Sequence, residues 1–161
     1  MIPAAHVRAW RAQAPWATNA QVEQNLIICR ALVEAYSDPV VAESLAFRGG
    51  TALHKLHFNP PLRYSEDIDL VQVRQEPIGK TVAALCSRLD HWLGAPNWKH
   101  SEGRFTLLYK VTVSTPPPIS LRLKIEINTR EHFSVMGFKK NAVRRQESVV
   151  RGRYRITGLR G

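Results

Sequence analysis

Asp67 and Asp69 lie one residue apart in the run Arg63-Tyr64-Ser65-Glu66-Asp67-Ile68-Asp69-Leu70. Residues 67–73 read as a strand, with Ile68, Leu70 and Gln72 on one face and Asp67, Asp69 and Val71 on the other. Side chains alternate along a strand, so the two carboxylates project from the same face, close enough to share a cation. Like charges that near repel unless a metal neutralises them, and hard oxygen ligands suit Mg²⁺. A lone Asp-x-Asp pair occurs often by chance, so other residues must decide whether it is a site.

Two further segments bear on that decision. From Ile119 to Asn128 the apolar residues Ile119, Leu121, Leu123, Ile125 and Ile127 alternate with Ser120, Arg122, Lys124, Glu126 and Asn128. This is a strand with one polar face. Beside the Asp67 strand it would make Glu126 a third carboxylate of the cluster; otherwise Lys124 and Glu126 simply face water. In Phe47-Arg48-Gly49-Gly50-Thr51-Ala52-Leu53-His54-Lys55 a short strand ends in two glycines, and a helix restarts at Thr51. Glycine lets a backbone approach a ligand, and a helix start offers free N–H groups to an anion. Thr51 adds a hydroxyl, and His54 and Lys55 follow it. A tight turn with a Thr cap is the plainer alternative. The turn is not a Walker loop, because G-x-x-x-x-G-K-[ST] is absent.

The elements that must position these residues follow from periodicity. A short helix and turn fill residues 1–19. Val22, Leu26, Ile27, Leu32, Val33 and Tyr36 recur at helical spacing between a Thr18 or Asn19 cap and the stop at Asp38-Pro39. A short helix at 39–44 leads into the strand Leu45-Ala46-Phe47. After the acidic strand, residues from about 77 to 93 form a helix carrying Ile78, Val82, Leu85, Leu89 and Trp92, closed by Gly94 and Pro96. Phe105, Leu107, Tyr109, Val111 and Val113 mark a long strand. A Thr-Pro-Pro-Pro turn then reverses the chain into the Ile119 strand, which predicts an antiparallel pair. The order predicts an α/β (α+β) fold, a small mixed sheet with flanking helices, in one domain over residues 1–161.

Composition bounds the rest. A chain of 161 residues, 44% hydrophobic and 22% charged, can build a core. It has no apolar run long enough for a membrane span and no basic-then-apolar leader at its start, so the expected location is cytoplasmic. Cys29 and Cys86 read as reduced, buried thiols, and zinc-ligand spacing is absent. The net charge of +10 is uneven. Residues 139–161 carry Lys139, Lys140, Arg144, Arg145, Arg151, Arg153, Arg155 and Arg160 against the single acid Glu147. Such a segment suits a polyanion, with RNA binding expected at Lys139, Lys140, Arg144, Arg145, Arg151 and Arg153; a merely solvated tail is the alternative.

Taken in order, a Gly-Gly-Thr turn, an acidic pair and a later carboxylate match the layout of the nucleotidyltransferase superfamily named for DNA polymerase beta. The Phe47–Lys55, Arg63–Leu70 and Lys124-Ile125-Glu126-Ile127-Asn128 segments resemble the signatures of AbiEii-type nucleotidyltransferase toxins over about residues 20–130. The resemblance implies a minimal polymerase-beta-like fold. It also implies Mg²⁺-dependent transfer from a nucleoside triphosphate onto a hydroxyl, on RNA such as the 3′ end of tRNA, and a separate antitoxin protein as partner. By the same resemblance, Gly49, Gly50, Thr51, Lys55 and Ser65 bind the nucleotide. Asp67 and Asp69 bind metal with Glu126, and Lys124 and Glu126 join them in catalysis. Family members usually continue into a helical part with a further acidic motif, for which no aspartate follows Asp90 here. A non-catalytic scaffold that binds RNA or an antitoxin is therefore the alternative function.

Overall fold

The computed structural model describes residues 2–58, 64–113 and 118–132. The Asn59-Pro60-Pro61 loop, most of the proline turn and the basic segment 139–161, with Lys139, Lys140, Arg144, Arg145, Arg151 and Arg153, lie outside them. The described chain forms α1 (Ala4–Arg11), α2 (Asn19–Tyr36), α3 (Pro39–Ser44), β1 (Leu45–Arg48) and α4 (Gly49–His57). It continues as β2 (Asp67–Gln72), α5 (Gly79–Leu93), β3 (Asn97–Ser101), β4 (Arg104–Thr112) and β5 (Ser120–Asn128).

Local chemistry explains the helix boundaries. Thr18 and Gln21 form a reciprocal capping box at the start of α2, each side chain taking up the other's backbone N–H. Asp38 accepts from the Val40 N–H and Pro39 occupies the first turn of α3, so the chain turns sharply after α2. Gly94, at φ +79°, ends α5 as expected.

The five strands form one sheet in the order β1-β2-β5-β4-β3. Only β2 and β5 are parallel; every other neighbouring pair is antiparallel. The expected mixed sheet with flanking helices is thus what forms. Ile68, Leu70, Leu107, Tyr109, Leu123, Ile125 and Ile127 line one face and join Val22, Ile27, Ile28, Leu85 and Leu89 of the helices in a single core. Tyr109 is fully buried, and its hydroxyl donates to Asp90 Oδ1 at 2.8 Å, which fastens β4 to α5. The opposite face carries the charged side chains of β2 and β5.

Three expectations need correction. β3 was not foreseen: Asn97-Trp98-Lys99-His100-Ser101 has no apolar alternation, because all five residues are exposed on an edge strand. α4 begins at Gly49, two residues before Thr51, since the glycines themselves turn into the first helical turn. Cys29 and Cys86 are free thiols as expected, but only half-buried.

Ile125 sits at the centre of β5 and is 1% exposed. Ile125→Ala is expected to cost about 2–5 kcal/mol, the usual range for emptying a buried aliphatic site. A fall in the urea midpoint without a change in slope would confirm this.

Candidate active site

The acidic pair is built by sheet register. Asp67 lies opposite Lys124 and Asp69 opposite Glu126 across the parallel β2–β5 ladder. On the other side of β2, Arg48 lies opposite Asp69. Strand alternation puts all five side chains on the open face, so of the two arrangements left open for β5 the register gives the one with Glu126 beside the acidic strand. Lys124 Nζ is 2.9 Å from Asp67 Oδ2 and 3.9 Å from Glu126 Oε2. Arg104 Nε stands 3.2 Å from Glu126 Oε1, and Arg48 pairs with Glu131. The Asp67 side chain is 41% exposed, which leaves the cluster open to a ligand.

Crowded carboxylates perturb one another. Burial, then the charges of Asp67 and Glu126, push the Asp69 carboxyl above the usual aspartate range; Lys124 and Arg48 pull the other way without cancelling this. Lys124 is raised, first by its hydrogen bond to Asp67 and further by the charges of Asp67, Glu126 and Asp69, against the opposing effect of burial. The signs differ in consequence. Ionised Asp69 is disfavoured in the fold, so stability falls as pH rises through its raised pKa. Lys124 adds stability below the ordinary lysine range that is lost as pH climbs through its raised value.

The glycine turn is wedged against this cluster. Gly49 has φ +78°, and a Cβ there would stand 2.5 Å from Asp69 Oδ2. Only glycine both adopts that conformation and leaves the carboxylate its place. Thr51 is 2% exposed, and its hydroxyl donates to the Asp67 carbonyl at 2.7 Å. That donation commits its proton, so the Ser65 hydroxyl donates to Thr51 Oγ1 in turn. The two hydroxyls therefore tether α4 to the start of β2. Lys55, the other residue expected near the nucleotide, directs its ammonium to Cys29 Sγ at 3.1 Å. Gly50 follows Gly49 in the first turn of α4.

Sequence reasoning missed several supports. The Tyr64 hydroxyl donates to Gln24 Oε1, and Gln24 Nε2 donates to the Arg122 carbonyl at 3.2 Å. This chain ties the segment before β2 to α2 and β5. The signal was a Gln among the apolar positions of α2, buried to 5% exposure. Arg48 and Arg104 were invisible as site residues because only the register places them beside Asp69 and Glu126.

The metal expectation can be tested against the donors. Among the described residues no three His, Cys, Asp or Glu side chains come together to hold a metal ion. Glu126 is next to Asp69 in register, but its oxygens are turned to Arg104 and Lys124. Asp67 and Asp69 remain as two hard-oxygen donors on one open face. That fits Mg²⁺, which is commonly held by one or two carboxylates with phosphate oxygens and waters completing the shell.

The family model described as "Nucleotidyl transferase AbiEii toxin, Type IV TA system" matches residues 30–145 of the chain. Among solved structures, JHP933 from Helicobacter pylori is 17% identical, with a TM-score of 0.54 over 76% of this chain and 49% of its own. The nucleotidyltransferase toxin MenT4 from Mycobacterium tuberculosis is 19% identical, with a TM-score of 0.53 over 78% of this chain and 44% of its own. These likenesses show a shared fold, and the chain spans about half the length of either structure. No curated protein matches by sequence.

Two outcomes are expected from the geometry. In EDTA near neutral pH, Asp69→Asn should raise the thermal midpoint, and the gain should shrink on acidification as the wild-type carboxyl protonates. Gly49→Ala should destabilise by more than about 1 kcal/mol, since it combines a left-handed backbone with a clash. Thermal melts of the three proteins across pH check both.

Proposed function

The chain belongs to the AbiEii family of nucleotidyltransferase toxins of type IV toxin–antitoxin systems, and on that premise we propose that it transfers a nucleotidyl group from a nucleoside triphosphate to a hydroxyl of RNA. The observation that carries this reading is the paired Asp67 and Asp69 on the open sheet face, with Lys124 beside them and the Gly49 turn against Asp69. In the proposed step the hydroxyl oxygen attacks the α-phosphorus. The bond from that phosphorus to the bridging oxygen breaks, and pyrophosphate leaves with its electron pair.

Most of the expected residues have a part in that step. Asp67 and Asp69 would hold Mg²⁺, which when bound supplies countercharge for the phosphates and polarises them. Backbone N–H groups at Gly49 and Gly50, at the start of α4, receive the triphosphate, with the Thr51–Ser65 pair fixing the turn. Lys124 supplies a positive charge toward the transferring phosphates. Glu126, across the ladder from Asp69, is the acceptor for the proton of the attacking hydroxyl. Lys55 stands in the last turn of α4 with its ammonium on Cys29 Sγ, and it has no part in the step. The basic segment 139–161 adds charge for a tRNA-like acceptor, and a cognate antitoxin completes the system.

Transfer of α-labelled nucleotides to RNA tests the reading directly. Asp67→Asn and Asp69→Asn should each lower transfer at least ~100-fold, because loss of a metal ligand removes several kcal/mol of charge stabilisation. Full activity in both would remove the role given to the pair. A wild-type chain that binds nucleotide and RNA yet transfers no label would be the binding scaffold instead.

A further inference from the structure

The face that carries Asp67 and Asp69 continues across β5 and β4 to the edge strand β3. The register aligns Asp69, Glu126, Thr106 and Lys99 in one row, and Lys110 lies opposite Arg122 in another. On this face β3, β4 and β5 hold Lys99, Arg104, Lys110, Arg122 and Lys124 against one carboxylate, Glu126. Arg104 and Lys124 are spent on Glu126 and Asp67. Lys99, Lys110 and Arg122 are exposed, and none of them has an ion-pair partner among the described residues.

We propose that this open face is the track for the phosphate backbone of the RNA acceptor, with Lys99, Lys110 and Arg122 as its contacts; the inference rests on the RNA-directed transfer proposed above. Helices fill the opposite face of the sheet, so an acceptor reaching Asp67 and Asp69 from the β3 edge crosses this one. Strands lie about 4.8 Å apart, which puts Lys99 about 14 Å from Asp69, a span of a few nucleotides. The polar neighbours are suitable: Thr106, Thr112 and Ser120 offer hydroxyls of the kind that bind phosphate and sugar oxygens. A protein partner would be expected to meet a buried apolar centre ringed by polar residues. Here Leu108 is the one apolar side chain that β3, β4 and β5 present on the face, and cations surround it. Free cations without an apolar anchor suit a polyanionic backbone, read without regard to sequence.

The test is the triple charge reversal K99E/K110E/R122E, with K110A and R122A as gentler variants should the triple fail to fold. Binding of a fluorescent unstructured oligoribonucleotide is followed by anisotropy over a salt series, in EDTA and without nucleotide. We expect at least ~10-fold weaker binding at low salt, and a log–log salt slope shallower by about 2 for three lost contacts on a single strand. The single alanine variants should each flatten the slope by about 0.7. Unchanged affinity and slope in variants that still melt cooperatively would overturn the track. So would displacement of the RNA by poly-glutamate at equal charge concentration, which would assign the face to an acidic protein. Salt-sensitive binding that responds to the reversals, in a chain that transfers no label, would leave the track standing and remove the transfer reading. Full transfer with unaltered RNA binding would do the reverse.

Discussion

Carboxylates at positions i and i+2 of a strand repel one another, and a third on the neighbouring strand adds to the repulsion. Around Asp67, Asp69 and Glu126 the fold must hold this arrangement against its own electrostatics. It does so by interleaving cations. Lys124 reaches Asp67, Arg104 reaches Glu126, and Arg48 lies across from Asp69. The residual strain falls on Asp69, whose carboxyl is raised because burial and two like charges outweigh the two cations near it. A cation held at the proposed site would offset that repulsion.

What holds the charges in place is apolar. The same strands that display Asp67, Asp69, Lys124 and Glu126 on one side bury Ile68, Leu70, Ile125 and Ile127 on the other. A slip of one residue in either strand would turn the carboxylates into the core and the isoleucines into water, so burial locks the register. The parallel pairing matters as much. It requires a long connection between β2 and β5, and α5, β3 and β4 supply it. Gln24 and Tyr64 then brace the segment before β2 against α2 and β5, so the backbone at the carboxylates is fixed from both ends.

Much of this was legible in the sequence, and the gaps have physical causes. Alternation over Ile119–Ile127 revealed β5 and its faces because burial there is one-sided. Thr18 and the Asp38-Pro39 pair revealed the limits of α2 because caps are local chemistry. β3 was hidden because an edge strand exposed along its whole length needs no apolar pattern. Thr51 read as a ligand group or a cap, yet its hydroxyl turned inward to Asp67 and Ser65, a contact between residues 16 and 14 positions apart. The charge partners were equally hidden: nothing in the string Phe47-Arg48-Gly49 says that Arg48 will face Asp69, and nothing near Arg104 says that it will face Glu126. The acidic pair was visible; what neutralises it depends on tertiary register.

The sheet also has two ends. Among the described residues β1 and β3 are its outer strands, four and five residues long, and no described strand pairs with the outer side of either. An exposed edge invites extended chains, other copies included, to add a further strand. Shortness limits that at β1. At β3 the deterrent is Lys99 at the middle of the strand, whose charge opposes stacking of a second identical edge. Concentrated salt screens that charge. Concentrated, high-salt solutions therefore weaken the charge that discourages strand addition at β3.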